Sequence, residues 1–129
     1  MPIVLGHMGH GHIVYINGAI EVAKRNDYVF LETSGMPMHN KIKETADVVG
    51  VDRVLYGSDT PFGHPAFERK KVEVSGLQRD ELDKVLGENA SRLFRIDWSL
   101  KEDPQLPEGF EHAPSFLRNI QVSAPTLAV

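Results

Sequence analysis

The chain has 129 residues, of which 41% are hydrophobic and 25% charged, with a net charge of −4 and no cysteine. That length holds at most one domain with a real core, and the acidic balance argues against a nucleic-acid-binding face. Without thiols there is no disulfide framework and no thiolate metal site, so any transition metal must be held by imidazole and carboxylate groups.

No apolar run approaches the ~20 residues that a membrane-crossing helix needs. The start of the chain also lacks the charged region and long apolar core of a signal peptide. The expectation is a cytoplasmic protein with no membrane partner.

Pro2-Ile3-Val4-Leu5-Gly6-His7 opens the chain as an apolar run, a glycine and then a polar side chain. Such a short run reads as a buried strand. His7, His10 and His12 come within six residues, interleaved with Gly9 and Gly11. This tract invites a metal reading, although loop histidines without fixed spacing are more often solvated. A helix is expected over 15–26, because Ile16, Ala19, Ile20 and Ala23 form one apolar stripe and Lys24 and Arg25 close its last turn. The strand Tyr28-Val29-Phe30-Leu31-Glu32-Thr33 comes next, then a loop around Ser34-Gly35-Met36-Pro37. A second helix is expected over 40–49, with Ile42, Ala46 and Val49 inward, Gly50 at its end and His39 as a surface or capping residue just before it.

Val54-Leu55-Tyr56 is a third short strand, leading into Gly57, Ser58 and Asp59. Gly57 allows the chain to turn or another backbone to come close. Pro65 suits the first turn of a helix through Val72, on which Arg69-Lys70-Lys71 is expected to be a solvated face. Leu77, Leu82, Val85 and Leu86 give another stripe, expected to end at Gly87, and a last short helix over 88–95 would bury Ala90, Leu93 and Phe94. From Asp97 onward Pro104, Pro107, Pro114 and Pro125 punctuate a stretch without periodicity, read as an irregular arm over 97–129.

The order is β-α-β-α-β-α with a terminal helical pair, so the fold class is α/β with parallel strands. His7, Thr33 and Asp59 stand at three strand ends, 26 residues apart in both steps. That period fits one strand, one helix and two short loops. Two of the three carry groups suited to metal or acid–base chemistry, and α/β proteins place their chemistry beyond the carboxyl ends of the strands. The bland alternative for Asp59 is a carboxylate that hydrogen-bonds its own turn.

Four segments, Ile-Val-Leu-Gly-His7-Met-Gly, Val-Phe-Leu-Glu32-Thr33-Ser34, Arg-Val-Leu-Tyr-Gly-Ser58-Asp59-Thr-Pro-Phe and Glu-Asn89-Ala-Ser-Arg-Leu-Phe, occur in this order. Together they resemble the amidohydrolase-related family of metal-dependent TIM-barrel hydrolases and decarboxylases, over roughly residues 2–96. The resemblance implies that residues 1–96 are three parallel βα units, strands six to eight of a (β/α)8 barrel. It implies that Asp59 binds a divalent metal and handles the proton of metal-bound water. It implies that His7 holds water or substrate beside the metal or ligates a second one. Glu32, Thr33 and Ser34 would line the pocket without a fixed chemical role.

Zinc is the expected metal, with manganese also suited to oxygen and imidazole ligands. The His-x-His of the family's first strand and the His of its fifth have no counterpart here, and His10-Gly11-His12 comes after the wrong strand for that role. A full barrel takes about 250 residues.

Three readings are open. The first is a metal-dependent hydrolase acting on a C–N or C–O bond of a small-molecule substrate, with non-oxidative decarboxylation as its alternative. Its barrel would be completed by residues upstream, by a second polypeptide or through a homo-oligomer, and this chain alone would be inactive. The second is a non-catalytic α/β remnant acting as an oligomer. The third is a new metal site built from His7, His10, His12 and Asp59.

Overall fold

The computed structural model describes residues 1–96. The expected arm, 97–129, lies outside the described residues. Three strands, β1 (Ile3–Leu5), β2 (Val29–Glu32) and β3 (Val54–Leu55), form one parallel sheet in the order β1-β2-β3. Ile3 stands opposite Val29, and Leu31 stands between Leu5 and Val54. Helix α1 (Ile13–Arg25) joins β1 to β2, and α2 (Asn40–Val49) joins β2 to β3. Beyond β3 come α3 (Pro65–Glu73), α4 (Arg79–Asp83) and α5 (Asn89–Phe94).

The expected stripes become the core. Ile16, Ala19, Ile20 and Ala23 of α1 are buried with Ile42, Ala46 and Val49 of α2, around Val29, Leu31 and Val54 of the sheet. Helix α1 starts earlier than its stripe suggests, because His12 serves as its cap: Nδ1 accepts the Val14 N–H at 3.3 Å. Gly50, at φ +94°, closes α2 by donating its N–H to the Ala46 carbonyl. Arg53 then ties the two helix ends together. Its guanidinium donates to the Ala23 and Asn26 carbonyls at the end of α1, and to the Val49 carbonyl at the end of α2.

Among the described residues the sheet is unevenly covered: both residues of β3, Val54 and Leu55, are buried. Val29 and Leu31 are buried, whereas Phe30 and Glu32 are half-exposed. Ile3 and Val4, on the edge strand, are 51% and 38% exposed.

Two expectations about the last helices are corrected. Gly87 does not end a helix: α4 runs through a π-helical turn, Lys84–Glu88, directly into α5. There the Asn89 N–H reaches back to the Lys84 carbonyl, five residues away, so the Val85 carbonyl is released. That carbonyl accepts the Tyr56 N–H at 2.9 Å. The Asn89 amide donates to the Val51 and Val54 carbonyls at 2.8 and 2.9 Å. Backbone groups on the outer edge of β3 are thus paired with a helix instead of a strand. The extra residue of the π turn also rotates α5 relative to α4, so Asn89 is fully buried while Phe94, expected in the core, is 59% exposed.

The basic run is corrected as well. Arg69 and Lys70 are exposed, but Lys71 is only 8% exposed and pairs with the equally buried Glu68. Its ammonium also donates to the Thr33 and Met36 carbonyls at 2.7 and 2.8 Å. All three of its donors are used.

Candidate active site at the carboxyl ends of the strands

His7 and Asp59 meet. His7 sits in the turn just past β1, and Asp59 in the loop just past β3. His7 Nε2 faces Asp59 Oδ1 at 3.9 Å, with the side chains 44% and 29% exposed. Both residues hold a left-handed backbone, each at φ 55°. Non-glycine residues enter that region at a cost of about 1–3 kcal/mol each, and such strain concentrates at functional sites.

The imidazole is oriented from β2. His7 Nδ1 lies 2.9 Å from the Ser34 carbonyl oxygen. A carbonyl only accepts, so Nδ1 carries the proton, and in the neutral ring Nε2 presents its lone pair toward Asp59. The Ser34 hydroxyl, 3.1 Å from the same Nδ1, donates onward to Glu32 Oε2 at 2.9 Å. Glu32 also accepts the His7 N–H at 3.1 Å and the Ser34 N–H. One carboxylate therefore stitches the end of β1 to the end of β2.

Two glycines make room for this network. A Cβ on Gly35, which has φ +62°, would lie 2.7 Å from His7 Nδ1 and 3.3 Å from Asp59 Oδ2. A Cβ on Gly57 would fall on the Glu32 carboxylate, 2.5 Å from its Cδ. The close approach anticipated at Gly57 is made by a side chain, not a backbone.

Thr33, the middle of the three phased positions, does not line a surface. It is fully buried, and its Oγ1 has no partner. Its N–H pairs with the Leu55 carbonyl, and its own carbonyl accepts Lys71. The strand-end residue that faces the site is Glu32, which sequence reasoning left without a role.

His10 and His12 stand apart from the pair, each edge-on to Tyr15 with ring centroids 5.6 and 6.0 Å away. Among the described residues no group of three or more His, Cys, Asp or Glu side chains could hold a metal. A metal site from His7, His10, His12 and Asp59 is therefore not formed. His39 is exposed ahead of α2 and makes no capping bond. A shallow groove of about 420 Å³ lies between the 35–39 loop and α3, and neither His7 nor Asp59 lines it. Tyr56, next to Gly57, has its phenol pushed above the ordinary range, first by burial and then by the nearby Glu68 carboxylate.

A family model described as amidohydrolase matches residues 1–96, and the chain belongs to that family. Among solved structures it is similar to 5-carboxyvanillate decarboxylase from Sphingomonas paucimobilis. The two are 27% identical with a TM-score of 0.59, over 74% of this chain and 34% of that one. A dihydroxybenzoic acid decarboxylase from Polaromonas, solved with manganese and the inhibitor 2-nitroresorcinol, is 20% identical with a TM-score of 0.57, over 78% of this chain and 36% of that one. A 2,6-dihydroxybenzoate decarboxylase from Rhizobium is 19% identical with a TM-score of 0.57, over 73% of this chain and 34% of that one. No curated protein matches. The chain thus spans about a third of the length of these enzymes. Its three parallel βα units match part of the TIM barrel of these enzymes.

Proposed function

We propose that this chain is the strand-six-to-eight portion of a metal-dependent decarboxylase acting on a hydroxylated aromatic carboxylic acid. The observation that carries the reading is the His7–Asp59 pair, faced across the carboxyl ends of parallel strands. The solved structures similar to the chain, each named as a decarboxylase of an aromatic acid, favour this over the hydrolase that the family name suggests.

The donors present fit part of a divalent-ion site. An imidazole lone pair and a carboxylate oxygen 3.9 Å apart are too far for a direct hydrogen bond, and their separation suits a shared ion or water. Asp59 would hold the ion, with His7 Nε2 available as a second ligand. Catalytic sites of this kind use about three protein ligands, so the remainder would come from the other barrel strands. Manganese, bound in one of the similar enzymes, is as well suited as zinc to such oxygen and nitrogen donors. When bound, the ion polarises the substrate's oxygens.

Where Nε2 is not engaged by the ion, His7 supplies the proton chemistry. With Nδ1–H held by the Ser34 carbonyl, a proton taken up at Nε2 is stabilised by the Asp59 carboxylate and can be passed to the ring carbon that bears the carboxyl group. The carbon–carbon bond then breaks, carbon dioxide leaves and its bonding pair stays with the ring.

Manganese line broadening tests the site on the chain itself. Broadening centred on His7, Gly35 and Asp59, and lost in Asp59→Asn, is expected; broadening centred elsewhere would remove the assignment. With the barrel completed, carbon dioxide release from carboxylated phenols is expected, and turnover of esters or amides alone would return the reading to hydrolysis.

A further inference from the structure

We infer that Glu32 is a positioning residue that sets which ring nitrogen of His7 carries the proton. The inference deepens the proposed function, since it concerns the same imidazole, but it rests on hydrogen bonds that exist without metal or substrate.

Glu32 reaches His7 by two routes. The first is through the backbone: the His7 N–H donates to Oε2 at 3.1 Å, and this fixes the start of the left-handed turn formed by His7 and Met8 at φ 55° and 48°. Without a fixed acceptor, two successive non-glycine residues in that region have little reason to stay there. The second route is through Ser34. Its N–H and hydroxyl both donate to Glu32, which holds the residue whose carbonyl receives His7 Nδ1. Because the Ser34 hydroxyl spends its hydrogen on Glu32, only its lone pairs face the imidazole. Both groups presented to Nδ1, the carbonyl and this hydroxyl, are therefore acceptors. The Nδ1–H tautomer is the one that satisfies them. A neutral imidazole in water favours the other tautomer, so the arrangement is imposed by its surroundings.

The fold commits several features to keeping this carboxylate in place. Gly57 leaves the volume that Glu32 occupies, and Gly35 brings its turn beneath the ring. Lys71 holds the Thr33 and Met36 carbonyls, on either side of Ser34 and Gly35. The result is a lone pair on Nε2 aimed at Asp59, the state needed for either ligation or proton uptake.

Nitrogen NMR of the full chain, labelled with 15N-histidine at a pH where the rings are neutral, tests this, with His7→Gln assigning the signal. In the wild type, Nδ1 should show the protonated shift and Nε2 the unprotonated one. In Glu32→Gln, whose amide puts donors where Ser34 and His7 donate, and in Glu32→Ala, the populations should reverse toward Nε2–H. Ser34→Ala retains the carbonyl and should shift them less. A wild-type His7 in the Nε2–H form overturns the inference before any variant is made. So does an unchanged His7 signature in either Glu32 variant with a dispersed, folded spectrum. Absence of metal binding or decarboxylation with the Nδ1–H signature intact would sink the proposed function and leave this inference standing.

Discussion

Glu32 and Gly57 compete for one volume, and the chain resolves the contest by giving position 57 no side chain. Gly57→Ala would push the carboxylate off its hydrogen bonds, at a cost of about 1–3 kcal/mol in unfolding free energy, measurable by urea denaturation. Its backbone is not in the left-handed region, so the cost is steric. Asp59→Asn is of the opposite kind: it keeps the volume and removes the charge. In the completed enzyme, turnover should fall by about 10²-fold or more while the melting temperature changes little.

Tyr56 gives a pH signature. Its raised phenol means the folded chain favours the neutral form. The stability this contributes is complete below the ordinary phenol range and lost as pH rises through the folded value. The phenol also donates to the Pro65 carbonyl at 2.9 Å, a bond that needs its proton. Wild type should lose more stability than Tyr56→Phe between pH 9 and the strongly alkaline range, about two units higher, in paired denaturation curves. His7 and Asp59 were legible at this scale because each ends an apolar run. Glu32 was not: it lies 25 residues from His7 in sequence, and its partners appear only when β1 and β2 pair.

At the scale of elements, the stripes of α1 and α2 could be read directly because burial follows periodicity. The π turn could not, since inserting one residue changes no composition. Lys71 was missed for another reason: Glu68 and Lys71 stand three apart, the spacing of an ordinary surface pair, and only the packing of α3 buries them. Lys71→Met leaves Glu68 buried and unpaired and should cost about 3–5 kcal/mol. Adding Glu68→Leu should recover part of that loss, and thermal unfolding of both variants would separate the charge from the carbonyls that Lys71 serves. Arg53 is the other long-range tie. Arg53→Met strips donors from the carbonyls of Ala23, Asn26 and Val49, and should cost about 2–3 kcal/mol by the same measurement.

At the scale of the whole molecule, the sheet has two unlike margins. On β1, Ile3 and Val4 are exposed beside backbone groups that no strand pairs among the described residues. Such an edge recruits another strand. The isolated chain should therefore self-associate, and Val4→Lys should shift sedimentation profiles toward the monomer. The parallel order could be read from the β-α-β rhythm, while this asymmetry could not, because it depends on what α4 and α5 do to β3. The Val54 N–H turns back to Val51, the Val54 carbonyl takes the Asn89 amide, and the Tyr56 N–H takes the Val85 carbonyl. Among the described residues, growth of the sheet is open at β1 alone. Two copies joined through β1 would turn helix-paired β3 margins outward, and closing a barrel through β3 would require the Asn89 and Val85 bonds to give way to a strand.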